Sequence, residues 1–185
     1  MMTKLDVFNE VADILNIEPF ENLNDIFDRH IKTMERCFKN GLTEVISKFD
    51  WSFLVVPLSF GSDLGASNGY RHSYEILNTE VIGKIVQADG KRYRFMNGKF
   101  YTDGEANGLG LRCDVSPDTN GIPDKFWSLV AYATAYYASS VLAPSVDTKQ
   151  LIAMDYKNML QSLIQEEVYS SKLPYGGYNG YSDSI

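Results

Sequence analysis

Two histidines and two cysteines among 185 residues leave little catalytic or metal-binding chemistry to look for. Cys37 and Cys113 lie far apart, which predicts buried free thiols rather than a disulfide framework or a metal site. His30 falls on a predicted helix and His72 on a predicted strand, and no Cys-His or Ser-His-Asp arrangement follows from the spacing. No HExxH, CxxC or EF-hand pattern occurs. The run Gly104–Gly110 lacks a Gly-Lys-Ser/Thr ending and leads into a strand, so it reads as a turn rather than a phosphate loop. No cofactor and no metal are expected. A basic surplus is also missing: 17 Lys and Arg stand against 24 Asp and Glu, for a net charge of −7. That argues against a protein that grips nucleic acid through its phosphates. The N-terminal MMTKLDVFNE has no basic-then-apolar run, so no secretion signal is expected. A disordered composition is absent too. With 44% hydrophobic and 22% charged residues the chain should form one globular domain, with room for an inserted subdomain.

Charge is missing altogether from Phe126 to Val146, and the chain is organised around that stretch. Pro123 suits the first turn of a helix and Pro144 cannot continue one. Between them small residues (Ala131, Ala133, Ala135, Ala138) alternate with large ones (Trp127, Tyr132, Tyr136, Tyr137). Such a helix can be approached closely from several sides. A membrane span is the rival reading by length. The tyrosines sit in its middle, most of its other apolar residues are alanine, and its flanks lack a basic cluster. The expected place is therefore the interior of a protein or an assembly, with no membrane partner. Trp127, Tyr132, Tyr136 and Tyr137 are the candidates for packing against a neighbouring copy.

Ahead of this helix, Thr3 and Asp6 predict a capped first helix ending near Asn16. Asn22 and Asn24 are offered as caps for a second, amphipathic helix of about 25 residues whose apolar stripe runs from Phe27 to Phe49. Gly41 weakens that helix by about 1 kcal/mol relative to Ala, and permits a bend or a close contact. Its opposite, charged face reads as solvated. Residues 60–70 are rich in Gly, Ser and Asn and read as a mobile loop. A short strand is expected over 70–77. Asp89-Gly90 and Asn97-Gly98 are tight-turn dipeptides that would fold 81–88, 91–96 and 99–102 into an antiparallel meander. Leu109–Val115 is a further strand. After the central helix, Asp147 with Gln150 predicts a capped last helix, apolar at Ile152, Tyr156, Met159, Leu160 and Leu163, reaching about Val168. The fold class expected is α+β: a bundle of about four helices (1–51 and 117–169), an inserted β-meander (52–116), and a C-terminal arm (170–185). The arm flanks Tyr175, Tyr178 and Tyr181 with glycines and has too few aliphatics to fold alone, so it is either a floppy tail or an arm that orders on a partner.

Few residues offer themselves for chemistry. Asp103, Glu105 and Glu75 are the only carboxylates that could serve a hydrolase acting on peptidoglycan. Glu166 and Glu167 are adjacent on a helix and so do not face each other. Lys91, Arg92, Arg94 and Lys99, with Tyr93 and Phe100 nearby, form a basic sheet face that could bind nucleic acid, meet an acidic neighbour, or simply be solvated.

Three stretches resemble the tail tubular protein A family, the head-to-tail adaptors of short-tailed phages. They are Phe49-Asp50-Trp51-Ser52-Phe53, Gly98-Lys99-Phe100-Tyr101-Thr102, and Ile122-Pro123-Asp124-Lys125-Phe126-Trp127 running into an alanine-rich helix. Their order and spacing carry the likeness over nearly the whole chain. Tyr74-Glu75-Ile76-Leu77-Asn78 departs from the family, which has a proline and an aspartate there. The resemblance implies a structural virion protein at the head-tail junction. It implies a closed ring, typically of about twelve copies, that joins the portal protein to a tail nozzle or fibre protein and prolongs the DNA channel without binding DNA specifically. Helices would pack copy to copy, with Tyr175, Tyr178 and Tyr181 of the arm reaching the portal. It implies no enzymatic activity. The competing readings are a peptidoglycan-degrading tail accessory enzyme and a nucleic-acid-binding adaptor.

Overall fold

The computed structural model describes residues 2–24, 28–78, 82–88, 92–142 and 145–170. Among them are four α-helices and seven strands in two antiparallel sheets, an α+β fold. Helix α1 (Lys4–Leu15) opens with the expected capping box: the Thr3 hydroxyl accepts from the Asp6 N–H, and the Asp6 carboxylate accepts from the Thr3 N–H. It closes at Asn16, whose φ of 52° is one that asparagine tolerates.

Helix α2 (Arg29–Lys48) has 20 residues and is capped by Asp28, which accepts from the His30 and Ile31 N–H groups. It therefore starts later than Asn22 and Asn24 suggested. The Asn22 side chain instead accepts from the Asn24 N–H in a local turn, a use of a short polar side chain that competes with helix formation. Phe27 lies outside the described residues.

Helix α3 (Asp124–Leu142) is central, packing against α1, α2 and the last helix, α4 (Val146–Ser170). Its small residues explain how one helix serves three neighbours. At Gly41 the approach is close: a Cβ there would lie 2.8 Å from the Thr134 backbone nitrogen. Gly41 thus marks a close contact between helices. Among the described residues no helix is long and apolar enough to cross a membrane. Helix α4 is capped by Ser145, whose hydroxyl accepts from the Thr148 N–H, and not by Asp147. Asp147 sits in the first turn, where its charge favours the helix dipole.

The β part begins with a 3₁₀ turn (Ser52–Leu54) and strands β1 (Val55–Pro57), β2 (Phe60–Asp63), β3 (His72–Ile76) and β4 (Ile82–Ala88). Strands β5 (Tyr93–Met96), β6 (Lys99–Thr102) and β7 (Gly108–Arg112) follow. One sheet has the order β1-β7-β4 and the other β2-β3-β6-β5. The Asn97-Gly98 hairpin forms as expected, with both residues at positive φ and Met96 paired to Lys99. The three-strand meander does not form, because β4 pairs with β7 in the other sheet rather than with β5. A tight-turn dipeptide predicts a reversal of the chain, not the partner of the strand after it. Here β7 provides pairing for β4, and Val86 packs towards the helical core. The expected mobile loop at 60–70 is likewise corrected in its first part: Phe60–Asp63 pairs with β3.

The main core is shared between helices and the first sheet. Leu54, Leu111 and Val115 are buried in the same cluster as Phe8, Met34, Phe126 and Trp127. Trp51 anchors the junction, donating its indole N–H to the Val45 carbonyl at 2.9 Å and packing edge-on against Phe126. The second sheet has its own small core of Leu58, Ile76 and Phe100.

Candidate functional site

Helix α4 is the least buried of the four. Of its 25 residues only Ile152 is buried. Tyr156, Met159, Leu160, Leu163 and Ile164 are partly buried against the main core, which fixes its inner face as expected. The opposite face carries a second stripe. Leu151, Met154, Asn158, Gln161 and Gln165 follow at steps of three and four, all exposed and none charged. Leu151 and Met154 are 56% and 54% exposed, and Tyr169, a turn beyond Gln165, is 88% exposed. From Leu151 to Gln165 the stripe spans about 21 Å. Alternating three- and four-residue steps are the spacing of a helix that packs along another helix. Within it Leu151 and Met154 are apolar and Asn158, Gln161 and Gln165 are amides. This stripe was missed in the sequence, where the inner face at Ile152, Tyr156 and Leu163 drew the eye. The absence of charge from Asn158 to Gln165 was the signal that could have found it.

The candidate packing residues of α3 separate. Trp127 is 1% exposed and sits inside the chain's own core, edge-on to Phe126. It is therefore not available to a neighbouring copy. Tyr132, Tyr136 and Tyr137 are half-buried. Tyr137 donates its hydroxyl to Glu44 at 2.7 Å, tying α3 to α2. That hydrogen bond, together with burial, pushes its pKa up to about 12. Tyr136 lies under the Lys149 ammonium, 4.8 Å from its ring centre, and so links α3 to the start of α4. Tyr175, Tyr178 and Tyr181 lie outside the described residues.

The carboxylates raised as possible acids are engaged or exposed. Asp103 pairs with Arg92 at 3.1 Å and accepts from the Arg71 N–H at 3.0 Å. Glu75 stands opposite Lys99 across β3 and β6. Glu105 is exposed in the turn before β7. Glu166 is held by Lys125 at 2.9 Å, and Glu167 accepts from the Ser52 N–H. Their roles are to join α4 to α3 and to the start of the β part. His30 is exposed on the first turn of α2. His72 bonds Asp63 at 2.6 Å, and this contact, more than the Gly65 N–H, holds the Asp63 carboxyl below its ordinary range. Among the described residues no three His, Cys, Asp or Glu side chains are placed to hold a metal ion. Cys37 is buried as expected, but Cys113 is exposed, because it follows the end of β7 where the chain leaves the sheet.

The basic residues around β5 and β6 are partly neutralised. Arg92 pairs with Asp103, covers the Tyr70 ring at 4.5 Å and donates to the Gly69 carbonyl. It therefore staples the tip of the β2–β3 connection to the β5–β6 hairpin. Arg94 and Lys99 are exposed, beside Tyr93 and Phe95 at 42% and 46% exposure. Lys91 lies outside the described residues. No family model matches the chain, and no curated protein matches it.

Proposed function

We propose that this chain is a structural adaptor that assembles into a ring through its helices and joins the portal of a short-tailed phage to the tail. The observation that carries the reading is the outer stripe of α4, an uncharged helical face with three- and four-residue spacing on a helix already packed on its other side. The three stretches that resemble tail tubular protein A support the choice of assembly. The aromatic, glycine-rich sequence of 170–185 supports a contact with the portal, because tyrosines offer much contact area with few rotatable bonds. The net charge of −7 supports a channel through which DNA slides, since acidic walls repel phosphates at short range. The function is mechanical: to seal the head, prolong the channel and present a docking surface to the tail nozzle.

The test is negative-stain imaging of the purified chain mixed with its portal protein. Added ring density on the portal is expected, and Met154→Lys, which puts a charge in the outer stripe, should weaken it while leaving the fold intact. Portal rings without added density would sink the proposal.

A further inference from the structure

A groove of about 640 Å³ runs between α2 and the turn after β7. Its apolar floor is the half-buried Leu42, set over the buried Phe38, Val115 and Pro117. Its rim is cationic: Lys4, Lys32, Arg36 and Lys39 stand against a single carboxylate, Glu35. In a chain of net charge −7 this is a local reversal of sign. Lys4 neutralises Glu35 at 2.6 Å and lies over the Phe8 and Phe38 rings, so one wall is firmly built. Arg36 and Lys39 are exposed and form no ion pair among the described residues.

We infer that this groove binds an acidic segment of another protein, extended and carrying an apolar side chain between its carboxylates. Charge complementarity selects the occupant, and the geometry limits its size. Arg36 and Lys39 lie about 4.5 Å apart along the helix axis. Carboxylates two residues apart on an extended chain are separated by about 6.6 Å, so two of them reach the rim while side chains of opposite direction meet the floor. Nucleic acid fits less well. Phe38 is 7% exposed and covered by Lys4, so no ring is presented for base stacking. The inference is independent of ring assembly, which uses the far side of α4.

The test is fluorescence anisotropy with a labelled peptide of alternating Glu and Leu, about eight residues long. Binding that weakens with added salt is expected, and Arg36→Glu with Lys39→Glu should weaken it by about tenfold or more. A Glu–Gly peptide of the same length should bind several-fold more weakly, because it leaves the floor uncovered. Should the double charge reversal fail to fold, Arg36→Gln with Lys39→Gln serves the same comparison. Absence of binding, binding unchanged by both pairs of substitutions, or tighter binding of a single-stranded oligonucleotide lost in the same variants would each overturn the inference. Imaging of portal mixtures reads ring assembly separately, so the two proposals fail independently.

Discussion

Replacing Gly41 by alanine sets two effects of opposite sign against each other. On helix propensity alone the change should stabilise α2 by about 1 kcal/mol. The structure predicts the reverse. A Cβ at this position meets the Thr134 nitrogen at 2.8 Å, the Thr134 hydroxyl at 2.9 Å and the Ala133 carbonyl carbon at 3.1 Å. Two of these are backbone atoms of the central helix, which cannot swing aside as a side chain does. The Thr134 hydroxyl is also held, donating to the Val130 carbonyl at 2.7 Å. Separating the helices to fit one methyl group is overpacking, with a cost of about 1–3 kcal/mol. The steric term should dominate, leaving Gly41→Ala less stable by about 1–2 kcal/mol and Gly41→Val by more, since valine adds bulk without alanine's helical preference. Urea unfolding reads the free energy directly, and the Tm should fall by about 2–8 °C for a chain of this size. Adding Thr134→Ala removes one of the three contacts and should restore only part of the loss, because the nearest is backbone. A Gly41→Ala variant more stable than the parent would refute the close crossing of α2 and α3.

Three further perturbations test the packing and the titrating groups. Trp127→Ala should cost about 3–5 kcal/mol in urea unfolding, as expected of a fully buried ring, and a loss below about 1 kcal/mol would contradict its place in the core. Tyr137 has a folded-state pKa raised to about 12, chiefly by its hydrogen bond to Glu44. Its contribution to stability is therefore complete below the ordinary tyrosine range and lost as pH rises from there to about 12. Tyr137→Phe should lack that alkaline loss when stability is measured against pH. Burial pushes the Glu10 carboxyl up, with the Ser128 hydroxyl partly opposing it. Its favourable contribution is present below the ordinary glutamate range and lost as pH rises through the raised value. Glu10→Gln should therefore be more stable than the parent at neutral pH, with the difference shrinking in acid. A constant difference across that range would mean that Glu10 is not desolvated.

The helical half was legible because each signal was local. Thr3 with Asp6, the left-handed Asn16, and the charge-free run after Pro123 each state a helix end or a buried face within a few residues. Where several residues compete to cap a helix, spacing alone does not decide among them. Asp28 and Ser145 cap α2 and α4 because their side chains reach the first orphan N–H groups, while Asn22 forms a turn of its own. The sheets were legible as strands and not as partners. β4 could pair with β5 across a turn or with β7 across a long connection, and the second choice depends on what the strand's side chains pack against. In the candidate site the inner face of α4 was visible and the outer one hidden. Apolar residues on both sides of one helix blur the single-stripe pattern by which amphipathic helices are recognised.

The same two-faced helix says how assembly should proceed. Leu151 and Met154 are each about half exposed, and covering them would contribute roughly 1 kcal/mol apiece. Tyr169 adds a similar or somewhat larger amount, so one copy-to-copy contact along the stripe gains roughly 3–4 kcal/mol in apolar burial. Bringing two free copies together costs about 4–15 kcal/mol in lost motion, and micromolar association needs a net gain of about 8 kcal/mol. The stripe alone cannot hold two copies together in dilute solution. Copies already held side by side on a common partner meet at an effective concentration of about millimolar or more, and they no longer bear the full loss of motion. If the α4 stripe is the only contact between copies, the adaptor proposed here should be a monomer by itself and a ring only on its template. Rings in the isolated chain at micromolar concentration would mean that a surface other than α4 supplies most of the contact.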